Sequence, residues 1–144
     1  MNYWIQECLY EKEDFAFLVW DEKHKKLYEV STIEFDKGWV WAKSKKDKIC
    51  LKLEKVILLP YIGAKDKNGK KIFDRHVVKY IDHANRPRIG VIMQFGYQWM
   101  VVAVDGDEEG NQDIELHPDY LKRIEIIGHA FTHPELLEVE DDED

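Results

Sequence analysis

Cysteine is nearly missing from this 144-residue chain: Cys8 and Cys50 stand far apart, outside any CxxC or His-rich spacing. That argues against a disulfide framework and against a structural zinc site. Serine is as scarce, with Ser31 and Ser44 alone and neither in a GxSxG elbow, so no activated serine nucleophile is on offer. Cys50 falls within a predicted strand, where an inert, buried thiol is expected. The eight glycines stand singly and form no P-loop or GxGxxG fingerprint, which removes the common phosphate-cradling loops. The longest uncharged apolar run, Val56 to Ala64, falls well short of the roughly 20 residues of a spanning helix. The N-terminus carries acids where a signal peptide would carry Lys or Arg. These shortages lead to the expectation of a non-enzymatic protein without cofactor, metal or membrane segment, in a reducing cytoplasm. Its length suffices to bury a core without staples.

Charge is plentiful and unevenly placed. The net −8 conceals three blocks: residues 1–36 hold 4 Lys+Arg and 9 Asp+Glu, residues 37–88 hold 15 and 5, and residues 89–144 hold 2 and 15. A basic middle and an acidic end on one chain favour a charged partner or a homo-oligomer, unless neighbouring strands interleave and cancel them.

Hydrophobic patterning is that of strands and turns. Phe15–Trp20 and Leu27–Phe35 flank the polar turn Asp21–Lys26 and read as a hairpin. Gly38–Ala42 puts Trp39 and Trp41 on one strand face, and Ile49–Leu53 alternates again beyond the lysine-rich turn Lys43–Lys48. After Val56–Leu59, the pair Asn68-Gly69 supplies the positive-φ positions of a tight turn. Strands at Val77–Ile81, Ile89–Phe95 and Tyr97–Val104 follow, with helical turns only at Pro118–Leu121 and Pro134–Leu137. The predicted fold is mainly β with minor helix: short antiparallel strands in two small sheets or SH3-like barrel lobes joined around Leu59–Gly63. The chain divides into an N-terminal extension (1–14), a β-meander (15–59), a β-rich second lobe (60–137) and an acidic tail (138–144).

Three segments then carry a resemblance: Leu18-Val-Trp-Asp-Glu-Lys-His-Lys-Lys-Leu-Tyr-Glu-Val30, Tyr61-Ile-Gly-Ala-Lys-Asp-Lys-Asn-Gly-Lys-Lys-Ile-Phe73 and Ile124-Glu-Ile-Ile-Gly-His-Ala-Phe-Thr-His-Pro-Glu-Leu-Leu137. In this order they resemble the opening hairpin, central block and closing motif of the YopX family of phage and prophage proteins, over about Phe17 to Leu137. The resemblance implies a fold and a phage origin, hence a host bacterial cytoplasm, and brings no catalytic residue with it. Asp74-Arg75-His76 departs from it, because the family usually shows an acidic-Gly-Asp step there. Arg75 in place of glycine puts a positive-φ turn in doubt.

Candidate sites divide by charge. The loop Asp105-Gly-Asp-Glu-Glu-Gly-Asn-Gln-Asp113 echoes a calcium loop, but Leu116 stands where the bidentate Glu belongs and strands flank it. His129 and His133, four apart, are separated from any one helix face by Gly128 and Pro134. His24, His76, His83 and His117 are scattered and read as exposed or strand-end residues. The acids Asp105, Asp107, Glu108, Glu109 and Asp113 add their fields within one loop. They could present a phosphate-like array to a host protein that handles nucleic acid or defends against phage, as anti-CRISPR and anti-restriction inhibitors do. The alternative is an oligomeric accessory protein, or direct nucleic-acid binding through Trp39 and Trp41 with Lys43, Lys45, Lys46 and Lys48 in the basic segment 37–88. Against it stand the net charge and the expectation that tryptophans aligned on one strand face are core.

Overall fold

Period-two alternation of apolar and polar residues dictates almost all of the structure. The computed structural model describes residues 15–107 and 112–138; the extension 1–14, the loop acids Glu108 and Glu109, and the tail from 139 onward lie outside the described residues. Eleven strands are seen: β1 (Phe17–Asp21), β2 (Lys26–Glu34), β3 (Trp39–Lys43), β4 (Lys48–Lys52), β5 (Val56–Lys65), β6 (Lys71–Phe73), β7 (His76–Ile81), β8 (Pro87–Phe95), β9 (Gln98–Ala103), β10 (Ile114–Glu115) and β11 (Glu125–His129). Among the described residues, helix is confined to 3-10 turns at Leu53–Lys55, Pro118–Arg123 and Pro134–Leu137. The last two begin on prolines, whose fixed φ suits a first turn.

The strands form two antiparallel sheets, ordered β4-β3-β2-β1-β5-β6 and β10-β9-β8-β7-β11. Both follow one plan: a four-strand meander whose first strand receives a returning strand on its other edge. Neither closes into a barrel, so of the two architectures expected the open sheets are the ones present. Leu59–Gly63 lies inside β5, which continues past β1 (Leu18 opposite Leu59) to pair with β6 (Tyr61 opposite Phe73).

Three packed clusters follow from the alternation. Val19, Val40 and Ala42 bury completely on one face of the first sheet, with Tyr28, Ile33, Ile49 and Leu51 around them. Leu18, Trp20 and Leu59, on the opposite face, pack against Phe73 and Phe131, and the Trp20 indole stacks on Phe131 at 5.3 Å between centroids. The second sheet buries Val78, Tyr80, Ile92, Val101 and Ile114, together with Ile72 of β6 and Ile124. β6 therefore belongs to the first sheet by hydrogen bonds and to the second lobe's core by its side chain.

Two turns use the same aspartate device. Asp66 Oδ1 accepts from the amides of Asn68 and Lys70, both at 2.9 Å, and Asp82 Oδ1 accepts from those of Ala84 and Arg86, both at 2.9 Å. In each, the fourth residue takes the left-handed conformation: Gly69 at φ 78° and Asn85 at φ 59°. The central turn thus needs a single positive-φ residue, not the Asn68-Gly69 pair expected from sequence, because the Asp66 carboxylate satisfies amides that a two-residue turn would leave to backbone partners.

A Cβ on Gly69 would meet no atom within 4 Å, so its substitution cost is conformational. Gly69→Ala should lower stability by roughly 1–2 kcal/mol, and Gly69→Asn by less than about 1 kcal/mol, since asparagine tolerates this conformation. Urea denaturation of the two variants measures the difference; equal losses would mean that the left-handed turn is not what glycine supplies.

Candidate functional site

The outer half of the first sheet presents the Trp and Lys residues singled out from sequence. Along β3 the burial alternates, with Val40 and Ala42 inward and Trp39, Trp41 and Lys43 outward. The expectation that the tryptophans are core is therefore corrected: they are 38 % and 37 % exposed. The smaller Val40 and Ala42 occupy the closely packed interior between strands, where an indole has no room. Register sets the neighbours: Trp39 lies opposite Lys52, Trp41 opposite Cys50, and Lys43 opposite Lys48. Cys50 is likewise exposed on this face and not the buried thiol expected, because β4 shares the phase of β3. Lys45 and Lys46 sit in the connecting turn, closed by the Ser44 amide donating to Asp47 O at 2.8 Å. On β2, Glu29 faces Lys43 with 4.0 Å between the charged atoms, and Thr32 and Glu34 face Trp41 and Trp39. The result is a flat surface of two indoles one strand repeat apart, about 6.8 Å, edged by lysines.

The acidic loop is less free than its sequence suggests. Asp113 Oδ1 accepts from the Ala103 amide at 2.8 Å and so serves the hairpin itself. Asp105 pairs with Arg88 at 3.3 Å, and the same guanidinium donates through Nε to the buried Asp82. Asp107 accepts from Gln112 Nε2 at 3.1 Å and is exposed. Below the loop, the Tyr80 hydroxyl donates to Gln112 O at 2.7 Å; burial, followed by the charge of Asp113, pushes it up to about 12. Glu108 and Glu109, expected to share this field, are outside the described residues.

Where the sheets meet, the fold assembles a cluster that the sequence kept apart. Pairing of β7 with β11 puts His76 directly opposite His129, ring centroids 5.3 Å apart. His76 Nδ1 accepts from the Phe73 amide at 2.9 Å. His129, 3 % exposed, has Nε2 at 2.9 Å from Asp74 O and Nδ1 accepting from the Phe131 amide at 3.2 Å. With Nε2 donating, that arrangement suits a neutral ring with a fixed tautomer. Burial first, then the proximity of His129, holds His76 down to about 4; burial likewise lowers His129. Asp74 Oδ1 is buried without a hydrogen bond, 3.5 Å from the Arg75 guanidinium, and its carboxyl is raised by burial. Fifty-three positions separate the two histidines, and only the strand pairing, which no local pattern specifies, could have joined them.

The turn preceding β7 answers the doubt raised by Arg75. It adopts φ 68° without glycine, held on three sides: the Asp74 amide donates to Pro60 O, the Arg75 amide to Ile92 O, and the Ala130 amide to Arg75 O. Tertiary hydrogen bonds override the residue's own preference.

The family model described as YopX protein matches residues 16–138. The chain belongs to the YopX family. The yopX protein of Bacillus subtilis is similar in structure, with a TM-score of 0.59 and 20 % identity over 87 % of this chain and 99 % of that one. Protein EF1440 of Enterococcus faecalis gives a TM-score of 0.55 and 20 % identity over 86 % of this chain and 98 % of the other. At that identity the likeness speaks for the YopX fold alone. No curated protein matches the sequence. Among the described residues, no helix is long and apolar enough to cross a membrane.

The histidine pair gives this YopX protein a signed pH dependence. The unfolded chain takes up a proton near 6.5, whereas folded His76 does so only near 4, so stability falls as pH drops through that window. His76 alone accounts for about 3 kcal/mol once both states are protonated. His129 adds to the loss and Asp74, raised instead of lowered, partly offsets it. The melting temperature should decline steadily from pH 7 to 4.5, and His76→Gln should flatten that decline. An unchanged slope in the variant would remove His76 as the cause.

Proposed function

We propose that the protein is a non-enzymatic binding protein that holds single-stranded nucleic acid on the outer face of its first sheet. The observation that carries this reading is the exposure of Trp39 and Trp41 on one strand face, edged by Lys43, Lys48 and Lys52. Exposed indoles offer π-faces to any base, each worth about 1–3 kcal/mol, and the lysines meet the phosphates. The net charge of −8 opposes binding only weakly at this distance. The segment 37–55 carries seven lysines against Asp47 and Glu54, the acidic loop belongs to the other sheet, and exposed charges are screened beyond about 8 Å at physiological salt.

The rival, an acidic surface presented to a host nucleic-acid-handling or defence protein, draws on Asp105, Asp107, Glu108, Glu109 and Asp113. It is weakened by the Arg88 pairing of one and by the structural use of Asp113.

Fluorescence anisotropy with a labelled oligothymidylate separates the two. Trp39→Leu with Trp41→Leu, which keeps apolar cover for the parts of the side chains that rest on the sheet (they are 38 % and 37 % exposed), should weaken binding by at least about tenfold while the far-UV circular dichroism spectrum stays that of the native protein. Asp105→Asn with Asp107→Asn should leave affinity unchanged or raise it. No binding by the native protein, or equal binding by the tryptophan variant, overturns the proposal.

A further inference from the structure

The outer face does not end at Lys43. A cleft of about 400 Å³ opens beside it, lined by Phe17, Glu29, Lys43, Lys70, Lys71 and Phe73 among others. Register shows why it is continuous with the tryptophan surface. Leu18, Glu29, Lys43 and Lys48 lie opposite one another across β1, β2, β3 and β4, and directly opposed residues point to one side of a sheet. Trp39 and Trp41 share that side with Lys43 by alternation. Lys43 is thus common to both surfaces.

The cleft has a defined chemistry. Three lysines reach it from two separate hairpins, with Glu29 as the one carboxylate among the described residues that line it. Lys71 is drawn over the Tyr61 ring, its Nζ 5.4 Å from the centroid, and Phe73 packs at a tilt on the same ring, 5.7 Å away. The walls therefore pair aromatic faces with ammonium groups. Ammonium groups act on phosphate as compact point charges, without the planar fork that selects carboxylates. A phosphate bearing a flat ring satisfies both features at once.

On the reading that the tryptophan face holds single-stranded nucleic acid, we infer that this cleft is a further nucleotide subsite on the path of the same strand. Lys43, Lys70 and Lys71 meet phosphates there, and a base lies against Phe73. The bound strand then runs from the Lys52 end of β3 and β4 past Lys43 toward the β5–β6 hairpin, and the footprint is longer than the two tryptophans alone can cover.

The test compares labelled oligothymidylates of four and twelve nucleotides on the full chain, titrated across salt. Lys70→Gln with Lys71→Gln should weaken the twelve-mer about tenfold and lower its salt slope by about 1.4, at roughly 0.7 for each phosphate no longer neutralised. The tetramer, accommodated by the tryptophan face, should change less than about twofold. Lys70→Gln alone guards against misfolding of the double variant and should give about half the change in slope. A twelve-mer bound by the lysine variants with native affinity and slope overturns the cleft while leaving the tryptophan face standing. Failure of the native protein to bind either oligonucleotide overturns the parent reading instead.

Discussion

The carboxylate of Asp66 ties the two sheets together at a point where neither could close alone. Only 6 % exposed, it gives Oδ1 to its own turn and Oδ2 to the Ile126 amide of β11, 60 residues onward, at 3.0 Å. Burial pulls its ionisation upward, but the backbone donors of Ile126, Lys70 and Asn68 outweigh that and hold it below the usual carboxylate range. Around it, the Lys67 amide donates to Ile124 O and the Lys67 ammonium pairs with Glu125 at 3.2 Å. These contacts dock β11, whose ladder with β7 places His129 against His76, beside the β5–β6 hairpin. The junction thus turns on one buried charge whose acceptor sites are filled by amides.

With the junction fixed, the face of the first sheet acquires two fates. Its inner half, Leu18, Trp20 and Leu59, is covered by Phe73 and Phe131. Its outer half, across β3 and β4, has nothing from the described residues over it, and there the residues are tryptophan and lysine. Burial and exposure meet at the cleft beside Lys43. The aromatic residues of one sheet face therefore split between holding the lobes together and meeting solvent.

Much of the fold could be read from alternation and turn chemistry: the β1–β2, β3–β4 and β8–β9 hairpins and both proline-started turns stand close to where the pattern puts them. β6 and β10, of three and two residues, are too short to alternate visibly, and β5 is longer than expected because Pro60 and Gly63 look like breaks yet sit within the strand. Alternation also assigns residues to two faces without saying which is inside. For β3, side-chain size favoured Trp39 and Trp41 as core, whereas the space between strands accepts Val40 and Ala42. The lysines and acids of the candidate sites were visible one by one. The use of Asp113 as a hairpin cap, the neutralisation of Asp105 by Arg88 and the approach of Lys70 and Lys71 to Lys43 depend on distant pairings that no local pattern records.

The shared plan of the sheets has a bearing on how the chain assembles. Each meander can zip through neighbouring hairpins, but its first strand keeps an open edge until a strand from much later in the sequence returns: β5 beside β1, and β11 beside β7. Such closures pay their loop entropy before any contact rewards it. During synthesis the edge of β7 stays unpaired until the closing segment has left the ribosome. That interval is when an unpaired edge is most open to pairing with another chain, and it ends when Ile126 reaches Asp66.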